Sequence, residues 1–130
     1  TYVYLWKGNP LAEKKIITLS DLEEYPCLSF DQGTNNSFYF AEEVLSTNEY
    51  KKIIKANDRA TVLNLMVGLN AYTLCSGIIC EELNGDDYIA IPLDSDEVMT
   101  IGYITRKNTI MSQLGKKYIE ELLKCKEILL

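Results

Sequence analysis

Residues 53–77, IIKANDRATVLNLMVGLNAYTLCSG, read as strand, helix and strand in succession. Ile53 and Ile54 open a β-branched run suited to a pleated sheet. Asn57 or Asp58 then caps a helix on which Val62, Leu65, Met66 and Leu69 recur at helical spacing and share one apolar face. Gly68 and Asn70 suit the left-handed turn that ends such a helix. Tyr72 to Gly77 follows as another apolar strand. Strands joined through a helix lie parallel, because only a hairpin can reverse the chain at once.

The alternation extends in both directions. Tyr2 to Trp6 is aromatic and β-branched, and Asn9-Pro10 ends it. Ser20 and Glu23 have the spacing of a capping box, which predicts a short helix from Asp21 to about Glu24, stopping before Pro26. Cys27 to Phe30 reads as a strand, and the polar turn Asp31 to Asn36 opens a helix carrying Phe38, Ala41, Val44 and Leu45. Toward the C-terminus come a short helical stretch around Ile79 to Leu83 and a turn at Asn84-Gly85-Asp86-Asp87. Strands at Tyr88 to Pro92 and Met99 to Arg106 follow. Ser112 caps a final helix whose Leu114, Tyr118, Leu122, Cys125 and Leu129 form one stripe. The fold class expected is α/β, an open and mostly parallel sheet flanked by helices.

With 130 residues, 47% apolar and 25% charged, the chain suits one compact globular domain. Its net charge is −6, and its basic residues are dispersed apart from three Lys doublets. A nucleic-acid surface concentrates positive charge to release counterions from phosphates, so direct DNA or RNA binding is not expected. No apolar run approaches the roughly 20 residues that span a bilayer, and the N-terminus lacks signal-peptide features. The chain begins at Thr1 rather than Met, as a piece cut from a longer protein would.

The absence of His removes the commonest general base and every Ser-His or Cys-His pair. Cys27, Cys75, Cys80 and Cys125 show no C-x-x-C spacing and sit among apolar neighbours, so they read as core residues in a reducing cytoplasm. Adjacent acids such as Glu23-Glu24 and Glu81-Glu82 point apart on a helix and read as solvated faces. No phosphate-binding, nucleophile-elbow or metalloprotease motif occurs. Neither catalytic residues nor a metal or cofactor are expected, and the chain does not read as an enzyme.

In open α/β sheets ligands gather beyond the carboxyl ends of strands, facing the helix starts that follow. The segment Asp31 to Ser37 holds such a place. Helix-start amides can bind a carboxylate, sulfate or phosphate. Gly33 allows close approach, and Gln32, Thr34, Asn35, Asn36 and Ser37 add neutral hydrogen-bonding groups. The competing reading is a polar cap with nothing bound. Gly68 and Asn70, at the unusual exit of the helix within the Asp58 to Tyr72 segment, form a second candidate beside the plain reading of a helix C-cap.

Taken in order, these segments resemble the C-terminal half of the effector-binding domain of LysR-type transcription regulators. Tyr2 to Ala12 (YVYLWKGNPLA) is similar to that family's strand followed by HPLA. ITLSDLEEYP at 17–26 resembles its I-S-L-E-D-L-x-x-Y-P segment, and TVLNLMVGLNA at 61–71 its T-x-x-x-L-V-A-x-G-L-G-I. Ile89 to Leu93 and the Ser112 helix resemble its closing strand and last helix. Asn70 and Ser76-Gly77 depart from the family, where a second Gly and Leu-Pro are common.

The resemblance implies one lobe of a type 2 periplasmic-binding-protein-like fold. Residues 1–130 would form a partial effector-binding domain. About 2–106 would be the second lobe with both crossover strands, Tyr2 to Lys7 and Met99 to Arg106. About 107–130 would be a C-terminal helix packing on a first lobe that lies outside this sequence. It further implies effector contact at Thr34, Asn35 and Asn36, a small anionic or carboxylate effector, and a cytoplasmic homo-oligomer such as a dimer. DNA would be bound only through a separate N-terminal helix-turn-helix. Two alternatives stand beside it: a solute-binding protein of the same fold and a stand-alone subunit-pairing module.

Overall fold

Tyr2–Trp6 (β1), Cys27–Phe30 (β2), Ile53–Ala56 (β3), Tyr72–Cys75 (β4) and Tyr88–Pro92 (β5) form one open sheet in the order β3-β2-β4-β1-β5. The structure is a computed structural model and describes residues 1–31, 33, 51–98, 100 and 102–129. β2 lies parallel to both β3 and β4, while β1 runs antiparallel to β4 on one side and β5 on the other. Four strands therefore point one way, and β1 is reversed. Apolar alternation specifies which side chains share a face but not which way a strand runs, so the reversal had no sequence signal.

Alternation along the strands divides the core in two. Val3, Leu5, Cys27, Tyr72, Leu74 and Ile91 face one side, where Leu11, Ile17, Leu22 and Leu93 cover them. Tyr4, Leu28 and Ala56 face the other, beneath Val62 and Met66. The latter two lie on α2 (Arg59–Leu69), whose first turn is capped by Asp58: its carboxylate accepts from the Thr61 amide at 2.8 Å. Leu5, Leu28 and Met66 are fully buried, each contributing about 1.5–3 kcal/mol of burial free energy. Leu69 departs from the expected face and is 47% exposed, leaving Val62 and Met66 as the helix's buried positions.

The first helix starts earlier than its sequence suggests. α1 spans Leu19–Leu22, and its capping box joins Thr18 and Asp21, not Ser20 and Glu23. Two neighbours fix the earlier start. Ile17 is tied to the sheet, donating to the Pro92 carbonyl and accepting from Asp94. The Asp21 carboxylate also holds Lys14 at 2.6 Å, whereas Glu23 pairs with Lys51. α3 likewise spans Glu81–Asn84, later than the helical stretch read from 79–83.

Three further expectations change or fall outside view. Thr100 and residues 102–106, the described part of the strand expected at Met99 to Arg106, are not in a strand, and Tyr103 and Ile104 are exposed. Strand-forming side chains make a strand only where a neighbour completes the ladder. Cys27 is a core residue as expected and Cys75 is half-buried, but Cys80 is exposed, with its thiol 3.1 Å from a Glu82 carboxylate oxygen. The expected helix carrying Phe38, Ala41, Val44 and Leu45 lies outside the described residues.

The chain divides into two units, Thr1–Met99 and Thr100–Leu130. The second contains α4, Gln113–Leu129. As expected, Ser112 caps it, its hydroxyl accepting from the Gly115 amide at 3.1 Å. Leu114, Tyr118 and Leu122 on the apolar stripe are exposed, and the side chains of Cys125 and Leu129 lie outside those described.

Candidate functional site

The order of the strands defines a switch point. From β2 the chain passes to β3 on one side, then returns through α2 to β4 on the other side of β2. The carboxyl ends of β2 and β4 therefore lead into connections that leave in opposite directions, the arrangement that marks the ligand crevice in open α/β sheets.

Two glycine turns border that crevice. At the exit of β2, Asp31 donates its amide to Ala56 of β3, and its carboxylate accepts from the Gly33 amide at 3.0 Å. Gly33 has φ of +65°, and an added Cβ would meet nothing within 4 Å. Backbone conformation, not crowding, is what calls for glycine here. At the exit of β4, Gly77 has φ of +85° and donates its amide to the Cys75 sulfur at 3.3 Å. A Cβ on Gly77 would stand 2.6 Å from the Tyr2 ring, so ring and backbone require the glycine together. Burial pushes the Cys75 thiol above its ordinary pKa, which keeps it neutral and poorly nucleophilic.

The exit of β3 lies at the same edge. There the Asp58 carboxyl is held below the usual carboxylate range, first by hydrogen bonding from the Thr61 side chain and then by the Thr61 amide. That carboxylate occupies part of the α2 helix start. Among the described residues no group of three or more His, Cys, Asp or Glu side chains could hold a metal ion, and no helix is long and apolar enough to cross a membrane.

Of the expected site residues, Gly33 lies at the crevice, and Gln32, Thr34, Asn35, Asn36 and Ser37 fall outside the described residues. Gly68 and Asn70 are not brought to it. α2 runs back from the exit of β3 to the entry of β4, which leaves both at the opposite end of the sheet. Asn70 adopts the expected left-handed conformation, φ +50°, and its carbonyl accepts from the buried Asn9 side chain at 2.9 Å. The Asn9 side-chain oxygen in turn accepts from the Leu11 amide at 2.8 Å. This pair ties the helix exit to the 3-10 turn Pro10–Glu13. Sequence reasoning named neither Tyr2 nor Gly77 as a site residue. The Ser76-Gly77 departure from the family pattern was the one available signal.

No protein-family model matches this chain, and no curated protein matches it. Among solved structures, one described as the effector binding domain of QuiR in complex with shikimate is similar, with a TM-score of 0.53 at 14% sequence identity. The match covers 92% of this chain and 57% of that one. At this identity the likeness is one of fold: over little more than half its length, an effector-binding domain has the architecture of this chain.

Proposed function

We propose that this chain is the effector-sensing part of a LysR-type transcription regulator, in which a small molecule bound at the crevice between β2 and β4 shifts the regulator between conformations. The observation that carries this reading is that positive-φ glycines, Gly33 and Gly77, follow the two strand exits at the switch point of a sheet whose fold is similar to that of an effector-binding domain. The order of sequence motifs from Tyr2 to the Ser112 helix supports the same family. The chain is then one lobe of a type 2 periplasmic-binding-protein-like fold, with the rest of the cleft supplied by sequence beyond these 130 residues.

On this reading the effector is a small carboxylate, met by backbone amides and neutral side chains among residues 32–37. The chain binds and releases it unchanged. The regulator is a cytoplasmic homo-oligomer that reaches DNA through a separate N-terminal domain, in keeping with the dispersed basic residues and net charge of −6 here. A ligand acts by differential affinity for two states, so binding must stabilise one of them measurably.

Thermal unfolding of the full-length protein, which supplies the rest of the cleft, with increasing shikimate tests this. The expected result is a saturable rise in midpoint, with all the shikimate recovered chemically intact. A flat midpoint across millimolar concentrations, or conversion of the ligand, would count against a sensing role.

A further inference from the structure

We propose that Asn84-Gly85 is a site of spontaneous covalent modification, where Asn84 closes a succinimide on the Gly85 nitrogen and opens to aspartate or isoaspartate. The gate is α3: the step proceeds when its single turn comes undone. It consumes water alone and draws on nothing in the β2–β4 crevice.

Asn84-Gly85 is the chain's one Asn-Gly pair. Glycine has no Cβ to hinder its own nitrogen from reaching the side chain before it. Gly85 and Asp86 are exposed, and a Cβ built at Gly85 would meet nothing within 4 Å, so water reaches the junction. The Asn84 side-chain oxygen is buried and accepts no hydrogen bond among the described residues. No donor therefore fixes the carboxamide through that oxygen, and turning it onto the backbone gives up no bond there.

What holds the step back is the local fold. α3 spans Glu81–Asn84, and the Gly85 amide donates to the Glu81 carbonyl at 2.8 Å. While that bond lasts, the nitrogen is not free to attack. The bond is weakly defended: α3 buries no side chain, and Cys80 at its N-cap makes no side-chain capping bond. A lone turn fixes several dihedrals for few hydrogen bonds, so it opens far more often than the sheet beside it. In the open turn the Gly85 amide gives its proton to hydroxide, and its nitrogen bonds to the Asn84 Cγ. The side-chain nitrogen takes a proton from water and leaves as ammonia. Water then opens the ring at either carbonyl, leaving a carboxylate where a neutral amide stood. That charge joins Glu81, Glu82, Asp86 and Asp87, and the isoaspartate form lengthens the main chain by one carbon just ahead of β5. Tyr88, the first residue of β5, donates its hydroxyl to the Leu63 carbonyl of α2 at 3.2 Å, so the change falls beside a tie between edge strand and helix.

The test is peptide mapping by mass spectrometry of the full-length protein held at mildly alkaline pH, beside a free peptide of residues 79–90. Asn84 in the folded protein is expected to yield both products, more slowly than in the peptide and faster than Asn64, Asn70 or Asn108. Cys80→Ser supplies a stronger N-cap and should slow the conversion roughly fivefold. Asn84→Gln, which would need a larger ring, should stop it. Hydrogen exchange reads the gate without any variant: the Gly85 amide should exchange far faster than those of Leu28 and Leu74 in the sheet. Asn84 left intact in the folded protein while the peptide converts would overturn the proposal. Conversion at the peptide's rate, an undiminished rate in Cys80→Ser, or a Gly85 amide as protected as the sheet would overturn the gating by α3.

Discussion

At position 77 two constraints act on one residue: a positive φ that L side chains rarely adopt, and a tyrosine ring filling the space a Cβ would need. Gly77→Ala should therefore cost about 2–3 kcal/mol in urea unfolding, the sum of backbone strain and overpacking. Asn9 shows a different economy. Only 2% exposed, it satisfies both the Leu11 amide and the Asn70 carbonyl. Asn9→Ala would leave both groups without that partner, and a loss of about 2 kcal/mol is expected in the same assay. Tyr4 makes the opposite case. Its hydroxyl is buried with no hydrogen-bond partner among the described residues, and burial raises its pKa, with Arg59 acting more weakly in the other direction. Tyr4→Phe removes an unpaired polar group from an apolar cluster, so stability should hold or rise by up to about 1 kcal/mol.

At the scale of elements, α1 couples folding to acid through its cap. The Asp21 carboxyl is lowered from its ordinary 3.8 to about 2, chiefly by the hydrogen bond from Lys14 and then by the Thr18 amide and hydroxyl. A folded pKa below the unfolded one means this stabilisation is fully present above about pH 4 and is lost as pH falls toward 2. Unfolding midpoints should fall across that window, and Asp21→Asn should flatten the dependence. The same cap shows what could be read in the sequence. β2 and β5 begin and end where the apolar runs do, and Asp58 and Asn70 bracket α2 as capping chemistry requires. These signals are local. The Thr18 cap was not legible because its position depends on Ile17 being tied to Leu93 and Pro92, residues remote in sequence. The described part of the strand expected at Met99 to Arg106, Thr100 and residues 102–106, is not a strand for the same reason: its residues favour extended structure, but a ladder needs a neighbour that sequence cannot name.

For the molecule as a whole, helix alternation made the α/β sheet legible, while the reversed direction of β1 depends on tertiary pairing. The candidate site was legible in part. Gly33 lies where strand-end reasoning put the ligand, whereas Gly68 and Asn70 belong to the far end of the sheet, where Asn70 joins the Asn9 tie. A motif marks an unusual backbone without saying which end of a sheet it occupies. The central claim is that a small carboxylate binds at the carboxyl edge of β2 and β4. Mapping the backbone amide shifts of this segment within the full-length protein during a shikimate titration tests it most directly. The account predicts saturable movement at Gly33 and Gly77, with Leu11, Gly68 and Asn70 unmoved. Saturable movement centred on Gly68 and Asn70, with Gly33 and Gly77 silent, would contradict it.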